Sequence, residues 1–92
     1  MKKNEEIQLF KALLELKNTD ECKKFFRDLC TPTELEELAA RWRVARLLTK
    51  KISYRQIAEE TGVSTTTVGR VARCLKYGCN GYTTILSRLR SI

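Results

Sequence analysis

Between residues 53 and 76 the sequence SYRQIAEETGVSTTTVGRVARCLK combines arginines with a run of hydroxyl side chains. Hydroxyl and guanidinium groups donate hydrogen bonds that suit phosphates and the edges of nucleic-acid bases. An arginine in particular can donate two parallel bonds to a guanine, a contact that contributes about 1–3 kcal/mol of discrimination between bases. This segment therefore predicts binding to DNA rather than catalysis.

The elements that must position these side chains are two short helices joined by a tight turn, the helix-turn-helix shape that enters the DNA major groove. Ser53 suits the N-cap of the first helix, with Gln56 placed to complete a capping box. Gly62 allows the positive φ of the turn, and Ser64 suits the N-cap of the second helix. The expected inward side chains are Ile57, Ala58, Thr61, Val63, Val68 and Val71. An ordinary helical hairpin is the alternative, but it requires neither this glycine nor the polar run after it.

In a helix-turn-helix the first residues of the second helix face base edges, and the N-terminus of that helix suits phosphates. We expect Thr67 to contact phosphate, and Gly69 to let the helix backbone approach the groove floor. For Ser64 and Thr65, a role as solvent-exposed capping residues is an equal alternative. The candidate DNA-binding residues are Tyr54, Arg55, Ser64, Thr65, Thr66, Thr67, Gly69, Arg70, Arg73 and Lys76.

The charge distribution agrees with a polyanionic partner. The chain has 92 residues with 18 Lys and Arg, 11 Asp and Glu, and a net charge of +7. Residues 54–92 carry six of the basic and two of the acidic side chains, so more than half of the excess lies there. An anionic membrane surface, or solubility alone, would explain the charge equally well. The length predicts a single domain, 1–92.

Several classes of function find no support in the sequence. No apolar run approaches the roughly 20 residues of a membrane span, so we expect a cytoplasmic protein with no membrane partner. The four cysteines, Cys22, Cys30, Cys74 and Cys79, match no zinc-finger spacing, and the chain has no histidine, so we expect no metal site. No phosphate loop, nucleophile elbow or converging carboxylate pair is present, and we expect no enzyme.

The remaining segments predict an all-α fold. Helices are expected at about 4–17, 20–30, 31–50 and in a closing turn and short helix within 77–92. Thr31, Pro32 and Glu34 form a helix start with a capping box. The apolar stripes are Ile7, Leu9, Phe10, Leu13 and Leu14; Cys22, Phe25, Phe26, Leu29 and Cys30; Leu35, Leu38, Ala39, Trp42 and Ala45; and Ile85, Leu86, Leu89 and Ile92. We expect Cys22 and Cys30 to be buried thiols.

The first two helices, within residues 1–30, carry more apolar surface than a minimal three-helix reading unit can cover. A homodimer that buries this surface would also present two reading helices to two half-sites. A larger bundle within one chain is the alternative.

Over about residues 30–76 the sequence resembles the tryptophan-repressor family, through TPTELEELAARWRVARLL and ISYRQIAEETGVSTTTVGRV. It is most similar to the Trp-repressor-like proteins of Gram-positive bacteria. The resemblance implies an intertwined, all-helical, six-helix homodimer whose outer helices interlock between subunits. It also implies direct readout of guanine by Arg55, because the repressor places an arginine against guanine at this position.

The resemblance further implies a small-molecule effector pocket. Residues around the corepressor carboxylate correspond to Thr31, Arg41 and Arg70, which match the family. A glycine that leaves room for the indole ring is replaced by Val71, and a serine that helps hold the amino group is replaced by Cys74. A clash with Val71 would cost on the order of 1–3 kcal/mol, so we expect that tryptophan is not the corepressor and that no cofactor is required. Another small anion, DNA phosphates, or no ligand at all are the alternatives for the two arginines.

These observations together predict a sequence-specific DNA-binding transcriptional regulator, a repressor that occupies a pseudo-palindromic site on double-stranded DNA as a homodimer. Two alternatives remain open. A protein-interaction module would use the same shape to dock another protein, and its binding would respond little to salt. A non-specific DNA-binding accessory factor would bind all duplexes with equal affinity.

Overall fold

The computed structural model describes residues 2–90, and helices make up most of that range. The six helices are α1 (Lys2–Leu13), α2 (Thr19–Leu29), α3 (Pro32–Leu48), α4 (Tyr54–Thr61), α5 (Thr65–Tyr77) and α6 (Gly81–Arg90). No strand occurs in the described part of the chain. The predicted all-α class is confirmed. Ile92, which was assigned to the stripe of the closing helix, lies outside the described residues.

The chain divides into two compact units, one extending to Leu35 and the other beginning at Glu36. In the first unit, neither α1 nor α2 has a fully buried side chain. Phe10 and Leu14 are 54% and 83% exposed, although both are large and apolar. Cys22 and Cys30 are free and only half-buried, so the expectation of buried thiols is wrong for the single chain. These helices lack the neighbours that would cover their apolar stripes.

The first helix ends four residues earlier than the sequence pattern predicted, at Leu13 rather than near residue 17. The Leu14 N–H still bonds four residues back to Phe10, but Glu15 and Leu16 bond only three residues back. This tighter turn ends the α-helical ladder. Asn18 then has extended backbone, and its Oδ1 accepts the Glu21 N–H at 2.9 Å, so α2 begins with a capped turn.

The start of α3 forms as its sequence predicts. The Thr31 hydroxyl accepts the Glu34 N–H at 3.1 Å, and the Glu34 carboxylate accepts the Thr31 N–H at 2.8 Å. This reciprocal pair is a capping box, and Pro32 occupies the first helical position, where its missing N–H has no bond to lose. The helix ends at Leu48, close to the predicted end near Lys50.

The second unit has a small core in which α3, α4 and α5 meet. Its fully buried or nearly buried members are Val44, Ala45, Ile57, Val68 and Val71. Trp42, Leu47, Leu48, Ile52, Ala58, Val63 and Tyr82 pack around them. This core fixes the two helices of the motif against the end of α3.

The stripe predicted for α3 is correct only in part. Ala45 is buried and Trp42 packs against the core, but Leu38 is 43% exposed and Ala39 is also exposed. Val44, which the stripe omitted, is completely buried. The core surrounds only the C-terminal half of α3, so the apolar side chains of its earlier turns remain uncovered in the second unit.

Candidate nucleic-acid interface

Ser53 sets the start of α4. Its extended backbone places the side-chain oxygen to accept the Gln56 N–H at 3.1 Å, which satisfies a donor that the first helical turn leaves free. One turn later Ile57 is completely buried and anchors the helix to the core. Tyr54 and Arg55 lie in the exposed first turn of α4, as the candidate site requires.

Gly62 makes the turn between α4 and α5. Its φ of 77° lies in the left-handed region, and its N–H donates to the Ala58 carbonyl at 2.9 Å. No heavy atom lies within 4 Å of the point where a Cβ would be, so the backbone angle rather than crowding requires glycine. The Thr61 hydroxyl also donates to the Ile57 carbonyl at 2.7 Å. The α4 C-terminus is thus closed tightly before the chain turns.

Ser64 caps α5, the second helix of the motif. Its Oγ accepts the Thr67 N–H at 3.1 Å and donates to the Thr67 hydroxyl at the same distance. Val68 and Val71 lie on the inner face of α5 and are buried. The predicted capping role of Ser64 is confirmed, and the two serine caps with the left-handed glycine between them define a helix-turn-helix.

The candidate DNA-binding residues lie in the first turn of α4, at the N-cap of α5 and along α5. Most of them are exposed: Tyr54, Arg55, Ser64, Thr65, Thr66, Arg70, Arg73 and Lys76. Thr67 and Gly69 are half-buried. A Cβ built on Gly69 would meet nothing within 4 Å, so this glycine is not explained by packing within the chain. Whether each of these residues contacts DNA stays a prediction.

Arg43, which no sequence pattern marks as functional, supports the end of α4. The Arg43 guanidinium donates from Nη1 to the Glu60 carbonyl at 3.3 Å. This bond links α3 to the last turn of α4, where backbone carbonyls lack partners within the helix. No spacing signal identifies a contact between residues so far apart in sequence, and only the folded chain shows it.

Four residues of the predicted effector pocket come together around a cavity of about 140 Å³. Arg41, Arg70, Val71 and Cys74 line it, together with Thr67 and Tyr82. Thr31 belongs to the first unit and takes part in the α3 capping box described above. The two guanidinium groups that line this cavity suit a small anion, but the Val71 side chain belongs to the core and reduces the space available.

Tyr82 also lines this cavity, although it was not among the residues predicted for the pocket. Its ring stacks on Trp42 with centroids 6.3 Å apart and planes 20° from parallel. It precedes Ile85, Leu86 and Leu89 at helical spacing, so extending the predicted stripe of the closing helix by one turn would have found it. Helix α6 thereby contributes an aromatic wall beside the two cavity arginines.

Other kinds of site find no support among the described residues. No group of three or more Cys, Asp or Glu residues is arranged to hold a metal ion within residues 2–90. In the same range, no helix has both the length and the apolar character needed to cross a membrane.

Comparison with known proteins gives consistent matches over most of the chain. The family model described as Trp repressor protein matches residues 5–90. Protein YerC of Bacillus subtilis (strain 168) is 48% identical over 83 residues, covering 90% of this chain and 80% of YerC. The crystal structure of a TrpR-like protein from Eubacterium eligens ATCC 27750 has a TM-score of 0.84 and 48% identity, covering 89% of this chain and 84% of that one. The crystal structure of a candidate Trp repressor from Staphylococcus aureus has a TM-score of 0.85 and 43% identity, covering 90% of this chain and 83% of that one.

The geometry of α4 and α5 places this chain among the helix-turn-helix proteins. The matches are more specific: the chain belongs to the Trp repressor family, which is a family of DNA-binding regulators rather than of enzymes. The resemblance seen in residues 30–76 is confirmed, and the match extends well beyond them.

Proposed function

We propose that this protein is a transcriptional repressor that binds a pseudo-palindromic DNA site as a homodimer. The observation that carries the proposal is the capped helix-turn-helix, with buried valines on one side of α5 and hydroxyls and arginines exposed on the other. Family membership supports DNA binding and regulation in general. Repression would follow from occupancy, because a protein bound over a promoter excludes polymerase. We expect a cytoplasmic location, since the proposed partner is DNA.

The proposed DNA contacts are of two kinds, those to base edges and those to phosphates. Arg55 would read a guanine through two parallel bonds, and Thr65 and Thr66 at the start of α5 would meet base edges or thymine methyl groups. Thr67 and the free N–H groups of the first turn of α5 would hold a phosphate, since a helix N-terminus carries partial positive charge. Lys76 near the end of α5 would add phosphate contacts without reading sequence.

A homodimer supplies the second half-site. The proposal rests on the uncovered apolar side chains of the first unit, among them Ile7, Phe10 and Leu29, which are 48%, 54% and 50% exposed. A stable protein–protein interface buries on the order of 1,200–2,000 Å² in total, and exposed apolar side chains on neighbouring turns of a helix suit burial of this kind. A two-fold axis would then present two copies of α5 to the same face of the duplex.

We further propose that tryptophan is not the effector of this protein. The Val71 side chain is 4% exposed and part of the core, so a flat ring would have to displace packed atoms. The cavity arginines remain suited to a smaller anion or to no ligand. No bound cofactor is needed for the proposed mechanism.

The test of the proposed function is a selection of random duplexes on the purified protein at physiological salt, with no ligand added. The expected result is an enriched motif with two-fold symmetry. Strong binding without a motif would indicate an accessory factor that binds all DNA. No binding to any duplex would favour the protein-interaction module.

A salt series on the selected duplex separates these outcomes further. DNA binding should weaken steeply as salt rises, because each neutralised phosphate releases counterions and contributes about −0.9 to the logarithmic slope. Docking of an apolar protein partner should change little over the same range.

A further inference from the structure

Glu59 lies one turn after Arg55 on the exposed face of α4. The Arg55 Nε and the Glu59 Oε1 are 3.9 Å apart, and the two side chains are 89% and 71% exposed. No described residue places another carboxylate in an ion pair with Arg55. The candidate guanine reader is therefore accompanied by a negative charge on its own helix.

This arrangement of charges is not explained by helix stability. Arg55 lies in the first turn of α4 and Glu59 in its second half, the reverse of the order that complements a helix dipole. The first turn of α4 has no acidic residue and its last turn no basic one. Ion pairs in which the acidic residue comes first are the more favourable ones, and exposed pairs contribute little in any case. Because this ion pair contributes little to the stability of the fold, a functional role explains it better.

The chemistry of the contact suits base readout. At 3.9 Å from Nε the carboxylate attracts the guanidinium but lies beyond hydrogen-bond distance, so the two terminal nitrogens of Arg55 keep the forked geometry that guanine accepts. The carboxylate also repels phosphates, so it opposes binding of Arg55 to the DNA backbone at sites that lack the guanine. Both effects favour a guanine over an arbitrary contact.

We infer that Glu59 determines specificity in this protein by positioning Arg55 for guanine and by penalising its contact with phosphate. The inference rests on the proposed function and adds a role for a residue outside the DNA-contacting set. Glu59 lowers the affinity for all duplexes, and the Arg55–guanine contact restores affinity only at the correct sequence. The ratio of specific to non-specific affinity thus depends on the pair.

The experiment compares Glu59→Gln with Glu60→Gln, using the duplex selected by the wild-type protein and a random duplex across a salt series. Glu60 is the matched control, because it is an adjacent exposed glutamate whose loss changes the net charge equally. For Glu59→Gln we expect tighter binding to random DNA and a specificity ratio reduced about three- to tenfold. The salt slope on random DNA should steepen by about 0.9, the contribution of one further phosphate contact. Glu60→Gln should leave the ratio unchanged.

The same substitution is then made in an Arg55→Ala background, with helix content checked by circular dichroism. Because Glu59 acts through Arg55, its effect on the ratio should disappear there, as a double-mutant cycle requires. Equal responses of the two glutamine variants, or an unchanged effect of Glu59→Gln without Arg55, would overturn this inference alone. A wild-type protein that selects no duplex would overturn the proposed function and the inference with it.

Discussion

At the scale of single residues, exposed Arg55 on α4 and exposed Lys76 on α5 represent two kinds of proposed DNA contact. We expect Arg55→Ala to lose the preference for guanine at the position that Arg55 reads, with a loss on the selected duplex of about 1–3 kcal/mol and little loss on random DNA. Lys76→Ala should weaken both duplexes alike and reduce the salt slope by about 0.9. Titrations of both variants on both duplexes measure this. Equal losses on specific and random DNA for both variants would contradict the assignment of Arg55.

The prediction that tryptophan is not the effector depends on Val71. Calorimetric titration with tryptophan should show no saturable binding in the micromolar range, because the buried isopropyl group occupies space that an indole ring needs. Removing that obstacle in Val71→Ala should increase tryptophan affinity, provided that the variant remains helical. Saturable micromolar binding to the wild-type protein would show that the pocket rearranges and that the prediction is wrong.

At the scale of elements, substitution of Gly69 in the middle of α5 should change stability and DNA affinity in opposite directions. Its Cβ position is open, so Gly69→Ala should fit the folded chain and raise the free energy of unfolding by up to about 1 kcal/mol through helix propensity. DNA affinity should fall, because the added methyl group would meet the groove floor. Thermal unfolding at a fixed protein concentration and a duplex titration give the two readouts. Greater stability with intact DNA binding would mean that the glycine is merely tolerated.

The elements also show what sequence can and cannot predict here. The turn of the motif was predictable because Ser53, Gly62 and Ser64 each meet a local backbone requirement. The end of α1 and the burial of Val44 were not predictable. The first depends on where the backbone hydrogen bonds change from four residues back to three, and the second on which neighbours cover the helix. Contacts between residues far apart in sequence cannot be predicted from local patterns for the same reason. The candidate contact residues were predicted from residue type and position alone, because their proposed partner, DNA, is not part of the chain.

At the scale of the whole molecule, the uncovered first unit predicts a dimer. In light scattering after size exclusion, the wild-type protein should have twice the 10.7 kDa mass of one chain. Phe10→Lys should dissociate it, because a charge placed in a buried apolar interface loses its hydration without gaining a partner. Gln8→Lys is the control, since it adds the same charge to α1 at an exposed polar position. The dissociated variant should also lose two-fold-symmetric DNA binding, because a single reading helix meets only one half-site. A monomeric wild-type protein, or dimers that tolerate both substitutions equally, would require the apolar face of α1 to have another partner.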